Sequence, residues 1–281
     1  MRRRNIDASK VPHVSSFRKI AIGSWPSPRD SSTYGQFSLD ISAVNDYLKH
    51  YNKAHHCLAA LHHFVAKTMG YILGQHPDLN QFITRGHLRQ RSTVSVFFTT
   101  LLKSGHSIDL SGIQINDPAS HSLASLTHLS TQKISNLRQG KDPEIRRVQR
   151  ILSSLPTWTM PFFYRLIDFL SYTINLNPHC YGVPYDRFGS IVISPVGSLG
   201  VEQAFIPLFP LSRTPIGLSI GKPVLKPTLV KDVYVPRPHV TFSVTIDHRI
   251  IDGYPIARAL RLFKKIFSNP NHYSSIFEGH S

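Results

Sequence analysis

The stretch Ser243-Val244-Thr245-Ile246-Asp247-His248-Arg249-Ile250-Ile251-Asp252-Gly253 constrains this chain more than any other. Alternation of side-chain character up to Asp247 predicts a β-strand. Asp252-Gly253 predicts a sharp turn. Ile256, Ala259, Leu260, Phe263 and Phe267 then recur at helical spacing. This order puts His248 where a strand ends, so that its side chain reaches outward from a rigid base. An imidazole there suits proton transfer, because its unperturbed pKa is close to neutral. A strand-end histidine on its own is more often structural, so the surrounding residues have to decide.

They point one way. The pattern His-x-x-x-Asp-Gly, here His248 to Gly253, resembles the signature of the chloramphenicol acetyltransferase and dihydrolipoamide acyltransferase superfamily. The fuller string Asp247-His248-Arg249-Ile250-Ile251-Asp252-Gly253 is similar to the catalytic domain of 2-oxo acid dehydrogenase acyltransferases. His76-Pro77-Asp78-Leu79-Asn80 resembles that family's His-Pro-acidic-x-Asn segment. Phe17-Arg18-Lys19-Ile20-Ala21 resembles its first helix. Residues 188–200 resemble its Thr-Ile-Ser-x-Leu-Gly segment and bring Ser194 to the position of the catalytic serine, with Pro195 as a departure.

The resemblance implies an α/β two-layer sandwich of the chloramphenicol acetyltransferase type, a mixed sheet covered by helices. It implies a homotrimer whose active site lies between subunits. In that reading His248 is the general base and Ser194 stabilises the oxyanion. Asp252 fixes the loop, paired with Arg18 of the first helix, and Gly253 serves backbone conformation. Coenzyme A and acyl-CoA are the implied substrates, with a second thiol or a small acceptor on the other side; the residues that bind coenzyme A are not identified. Lipoyl and subunit-binding domains have no room here, so no covalently bound lipoyl group is expected. A carrier or lipoyl protein would act in trans. The alternative is a catalytically inactive trimeric scaffold or partner-binding protein of the same fold.

Composition bounds the partners. Thirty-two Lys and Arg against 16 Asp and Glu give a formal charge of +16, which favours polyanions. The basic residues are scattered and carry no helix-turn-helix, zinc-finger or RNA-binding signature, so nucleic acid is not the expected partner. Coenzyme A, an acidic carrier or an anionic membrane surface fits the charge equally. Two cysteines, Cys57 and Cys180, suit a reducing compartment, with Cys57 as a small core residue, and a cytoplasmic location is expected. Met1-Arg2-Arg3-Arg4-Asn5 is basic with no apolar region after it, unlike a secretory signal.

Along the chain, residues 1–16 read as an arm and 17–281 as one catalytic domain. A strand is expected over 34–41, then a helix capped by Ser42. Residues 56–75 read as one helix with Leu58, Leu61, Val65, Met69 and Ile72 on a face. His55, His56, His62 and His63 lie in or beside it, but no acidic residue accompanies them and no metal is expected. Two strands are expected over 82–101, a strand or pair over 107–115, a turn at Asn116-Asp117-Pro118 and a helix over 120–138. Residues 141–182 depart from the family as a helical insertion: a basic helix over 143–155, then the aromatic segment from Trp158 to Leu170. Three readings of it stay open: packing on the subunit core, lining an acyl-binding tunnel, or peripheral membrane contact.

Overall fold

Fifteen residues, Val233–Asp247, form the longest strand among the described residues, and the sheet is laid out around it. The computed structural model describes residues 7–11, 30–104, 107–141, 156–176, 186–209 and 212–279. In chain order these hold β1 (Ala8–Lys10), β2 (Ser32–Asp40), α1 (Ser42–His55), α2 (Leu61–Gln75), β3 (Gln81–Thr84) and β4 (His87–Arg91). Next come β5 (Ser95–Ser104), β6 (Ser107–Asn116), α3 (Leu123–Arg138) and α4 (Met160–Asp168), which runs into a π-helical turn at Phe169–Thr173. The rest is β7 (Ile191–Ser194), β8 (Ile216–Ile220), β9 (Val224–Val230), β10 (Val233–Asp247), α5 (Gly253–Ser268) and α6 (Ser274–Glu278).

Seven strands make the main sheet, in the order β2-β10-β8-β7-β5-β6 with β9 on the far half of β10. β7 runs parallel to β5 and β8, and the remaining pairs are antiparallel. All five residues of β8 are buried, as a central strand flanked by a parallel neighbour requires. The helices cover one face. There Phe242 stacks on Phe37 and meets Phe263 and Phe267 of α5, while Phe64 of α2 stacks on Phe277 of α6. These rings bury large apolar areas in edge and stacked contacts, so they fix how α5 and α2 sit on the sheet. The two-layer α/β arrangement read from the sequence is the arrangement observed. Among the described residues no helix is long and apolar enough to cross a membrane.

Several local expectations need correction. The helix read over 56–75 is broken: His56 takes a left-handed φ of 47° and α2 starts only at Leu61. Leu58 therefore falls in the connection and is 86% exposed. Cys57 sits in the same connection, half-buried, its thiol donating to Asn52 Oδ1 at 3.2 Å. Ser42 is the first residue of α1 and Ile41, not Ser42, is its N-cap; the Asp40 carboxylate at the end of β2 accepts from the Ser42 N–H at 2.8 Å. Residues 82–101 belong to three strands. Arg85 and Gly86, both with positive φ, form the tight turn between β3 and β4. Part of the expected arm, Ala8–Lys10, is the outer strand of the small sheet β1-β4-β3.

Arg18 and the first-helix pattern lie outside the described residues, as do Cys180 and the basic helix expected over 143–155. The described part of the insertion packs inward through Asp168, which binds Arg213 at 2.7 Å, and through Tyr172, whose carbonyl accepts from Thr84 Oγ1. Its outer side carries Trp158, Phe162, Leu166 and Phe169, all exposed.

Candidate active site

Asp247 ends β10 and organises the turn that follows. Its carboxylate accepts from Ser31 Oγ at 2.9 Å, from the Arg249 N–H at 3.0 Å, and from Arg249 Nε and Nη2 at 3.0 and 2.8 Å. Its carbonyl accepts from the N–H groups of Ile250 and Ile251, and both isoleucine side chains are buried. Hydrogen bonding to this carboxylate holds the Arg249 guanidinium above its usual pKa. The turn is thus pinned by an ion pair on one side and two apolar anchors on the other. His248, between them, is held by its own N–H to the Ser31 carbonyl at 3.0 Å, and its side chain is 30% exposed.

Asp252 stands at the N-cap of α5 in extended conformation. Its Oδ1 lies 3.6 Å from His248 Nδ1. A carboxylate here is favoured by the N-terminal end of the helix and faces the imidazole across the turn. Gly253 is the first residue of α5; its φ is not left-handed, and a Cβ there would meet nothing within 4 Å. The conformational role expected for this glycine is therefore absent. What the missing side chain provides is space at the mouth of a cavity.

That cavity, of about 320 Å³, runs between β2, β10, β8 and the first turns of α5. Phe37, Leu218, Ile246, Ile256 and Phe263 are among its walls, and His248 and Gly253 border it. α5 is fastened over it by Arg258, which binds both carboxylate oxygens of Asp78 at 3.0 and 3.1 Å. Asp78 belongs to the His76–Asn80 segment singled out in the sequence. Within that segment Asn80 is buried and donates to the Thr93 carbonyl at 3.0 Å.

Ser194 is the last residue of β7 and is half-buried. It belongs to the face of the sheet turned away from the helices. Thr99 Oγ1 donates to Ser194 Oγ at 2.7 Å. Ser194 lies beside Ser219 of β8, and Ser219 beside Ser243 of β10. This register separates Ser194 from His248 within one chain. His248 comes five residues after Ser243, roughly 17 Å further along the strand direction and roughly 10 Å to the side. The histidine and the serine therefore occupy opposite ends of the sheet.

The histidines near α2 play no part in this. His63 is buried, with its Nδ1 accepting from the Ala60 N–H and its Nε2 bonded to Ser130 Oγ, and desolvation pushes its pKa down to about 3. Desolvation brings His62 down to about 4. His55 faces Glu278 at 3.5 Å on the opposite side of the helix layer.

Residues 187–274 match the family profile described as 2-oxoacid dehydrogenases acyltransferase (catalytic domain). The match covers about a third of the chain. It contains Ser194, His248, Asp252 and Gly253. Solved structures extend the likeness of fold over most of the chain. The dihydrolipoamide acetyltransferase of Azotobacter vinelandii is 16% identical over 86% of this chain and 83% of that one, with a TM-score of 0.63. That structure was studied for the roles of a serine, a histidine and an asparagine four residues after the histidine in its catalytic mechanism. The cubic core of the pyruvate dehydrogenase multienzyme complex is 16% identical over the same shares, with a TM-score of 0.62. A chloramphenicol acetyltransferase is 11% identical over 93% of this chain and all of that one, with a TM-score of 0.51. No curated protein sequence matches the chain.

Two residues beside the candidate site were not found from the sequence. Thr99 lies outside the matched segment, and its contact with Ser194 depends on β5 pairing with a strand about ninety residues later. Arg258 sits on the polar side of a clear amphipathic helix, where nothing in the spacing distinguishes it from a solvated cation.

Proposed function

We propose that the chain is a CoA-dependent acyltransferase, moving an acyl group between coenzyme A and a second thiol or small acceptor. The observation that carries this reading is the pinned turn after β10, which presents His248 at the mouth of an apolar cavity with Asp252 behind it. In this reading Asp252 stands on the Nδ1 side of the ring and Nε2 is the nitrogen that serves the substrate. For a thiol acceptor, the imidazole takes the proton from the S–H group, because the thiolate is the nucleophile. The sulfur attacks the thioester carbon, and the carbonyl oxygen becomes an oxyanion. Ser194 donates its O–H to that oxygen. The bond from carbon to the coenzyme A sulfur then breaks, and the departing thiolate takes the proton back from the imidazolium. Atoms and charge balance without any other reagent.

Because His248 and Ser194 lie at opposite ends of one sheet, the reading requires that they meet across a subunit boundary. We place them in a homotrimer, in which each subunit gives its histidine to one interface and its serine to the next. Two features support this. One similar fold is that of a multimeric cubic core. The β9–β10 hairpin also leaves the sheet as a two-stranded ribbon exposing Leu225, Leu229, Val233 and Tyr234, and such a ribbon is marginal without a partner. The formal charge of +16 suits the phosphates of coenzyme A and an acidic carrier or lipoyl protein supplied in trans.

The test is release of the coenzyme A thiol from acyl-CoA in the presence of a dithiol acceptor, comparing wild type with His248→Ala. Loss of turnover of at least about a hundredfold in the variant is expected. Equal turnover would remove His248 from the chemistry, and no turnover by the wild type with any acyl-CoA would favour a scaffold of the same fold.

A further inference from the structure

We infer that the acyl group carried by this site is an uncharged aliphatic chain of medium length, and that it lies in the cavity beneath α5. The inference rests on the reading of His248 as the base, and it adds the class of substrate. A cavity of about 320 Å³ borders the imidazole, which falls at the lower end of small-molecule sites. Along α5 it extends from Gly253 to Phe263, roughly 15 Å of helix. An acetyl group on a thioester at His248 would fill only the mouth.

The walls say what the occupant is. Sheet residues Phe37, Leu218 and Ile246 face Ile256, Leu260 and Phe263 of α5, and no Asp, Glu, Lys or Arg lines the space among the described residues. A dicarboxylic acyl group would put its free carboxylate there with no Lys or Arg to pair with, at a desolvation cost. An alkyl chain meets mainly apolar walls, with Thr33, Tyr34, Gln36 and His248 as the polar residues of the lining. Two glycines keep the passage open. Gly253 borders the mouth, and Gly35 lies on the wall made by edge strand β2; a Cβ at either would meet nothing within 4 Å. A larger residue at position 35 would project into the space that a chain needs.

Calorimetric titration of the full chain with acetyl-, succinyl- and octanoyl-CoA tests this without needing turnover. Burial of one methylene corresponds to about fourfold in affinity, so octanoyl-CoA is expected to bind at least about a hundredfold more tightly than acetyl-CoA, with succinyl-CoA weakest. Gly35→Leu is expected to cut the octanoyl-to-acetyl ratio at least about tenfold, and Ile256→Ala to move the optimum to a longer chain. Thermal melting shows whether each variant keeps its fold. Equal binding of acetyl- and octanoyl-CoA overturns the inference, as does a Gly35→Leu variant that folds and keeps the wild-type ratio. The reading it rests on is separated by His248→Ala, which should keep octanoyl-CoA binding and lose turnover. Retained turnover in that variant removes the base while the chain-length preference stands or falls on the titration.

Discussion

Thr99 Oγ1 gives its hydrogen to Ser194 Oγ at 2.7 Å across the parallel pair β5 and β7. A hydroxyl that accepts in this way has its own hydrogen to give elsewhere. Thr99 is therefore expected to orient Ser194 toward the oxyanion. Ser194→Ala should lower kcat on the order of a hundredfold or more. Thr99→Val should lower kcat roughly tenfold with KM for acyl-CoA little changed, and Thr99→Ser should restore most of it. Combining Thr99→Val with Ser194→Ala should cost no more than Ser194→Ala alone, since both act through one hydrogen bond.

The turn that presents His248 depends on Asp247. Asp247 is 8% exposed and takes four hydrogen bonds, two of them from the Arg249 side chain. Asp247→Ala leaves that guanidinium without its carboxylate. A loss of about 3 kcal/mol is expected in urea unfolding. Arg249→Met should cost less, because it removes the charge together with its need for a partner.

Acid should weaken the fold through His63. Burial takes its pKa from 6.5 to about 3, so between those values the unfolded chain binds a proton that the folded chain does not. Stability from this group is fully present above 6.5 and falls as pH drops toward about 3, where it levels off. His63→Gln should flatten that limb when unfolding free energy is measured against pH. A limb of unchanged slope in the variant would assign the acid sensitivity to other groups.

The hairpin β9–β10 should govern assembly. Leu229→Asp together with Tyr234→Asp places charge on its exposed apolar surface. Sedimentation is expected to show the wild type as a trimer and the double variant as a monomer with unchanged circular dichroism. Activity should fall with the trimer. A monomeric variant that keeps full turnover would place the whole site in one chain.

The strand and the helix around His248 were legible because the sequence there is locally consistent: alternation, then Ala259, Phe263 and Phe267 at helical spacing. The sharp turn expected at Asp252-Gly253 lies instead over residues 248–250, and Asp252 and Gly253 are the N-cap and first residue of α5. Positions 56–60 were misread because apolar spacing alone continues through them, while the left-handed His56 that breaks the helix leaves no mark in a pattern of hydrophobicity. Gly253 was assigned a backbone role on residue type, where its surroundings show an open space instead. Thr99 and Gly35 could not be singled out at all. Each acquires meaning only from a neighbour distant in sequence, Ser194 for one and α5 for the other, and strand register is not written in either segment.

Mixing two inactive chains tests most directly whether His248 of one subunit works with Ser194 of the next. His248→Ala and Ser194→Ala chains are purified separately, unfolded together and refolded as hybrids. Each mixed trimer then holds one interface with both residues intact, and turnover is expected to return to about a quarter of wild type at equal mixing. Hybrids that assemble as trimers yet stay as inactive as their parents would contradict a site shared between subunits.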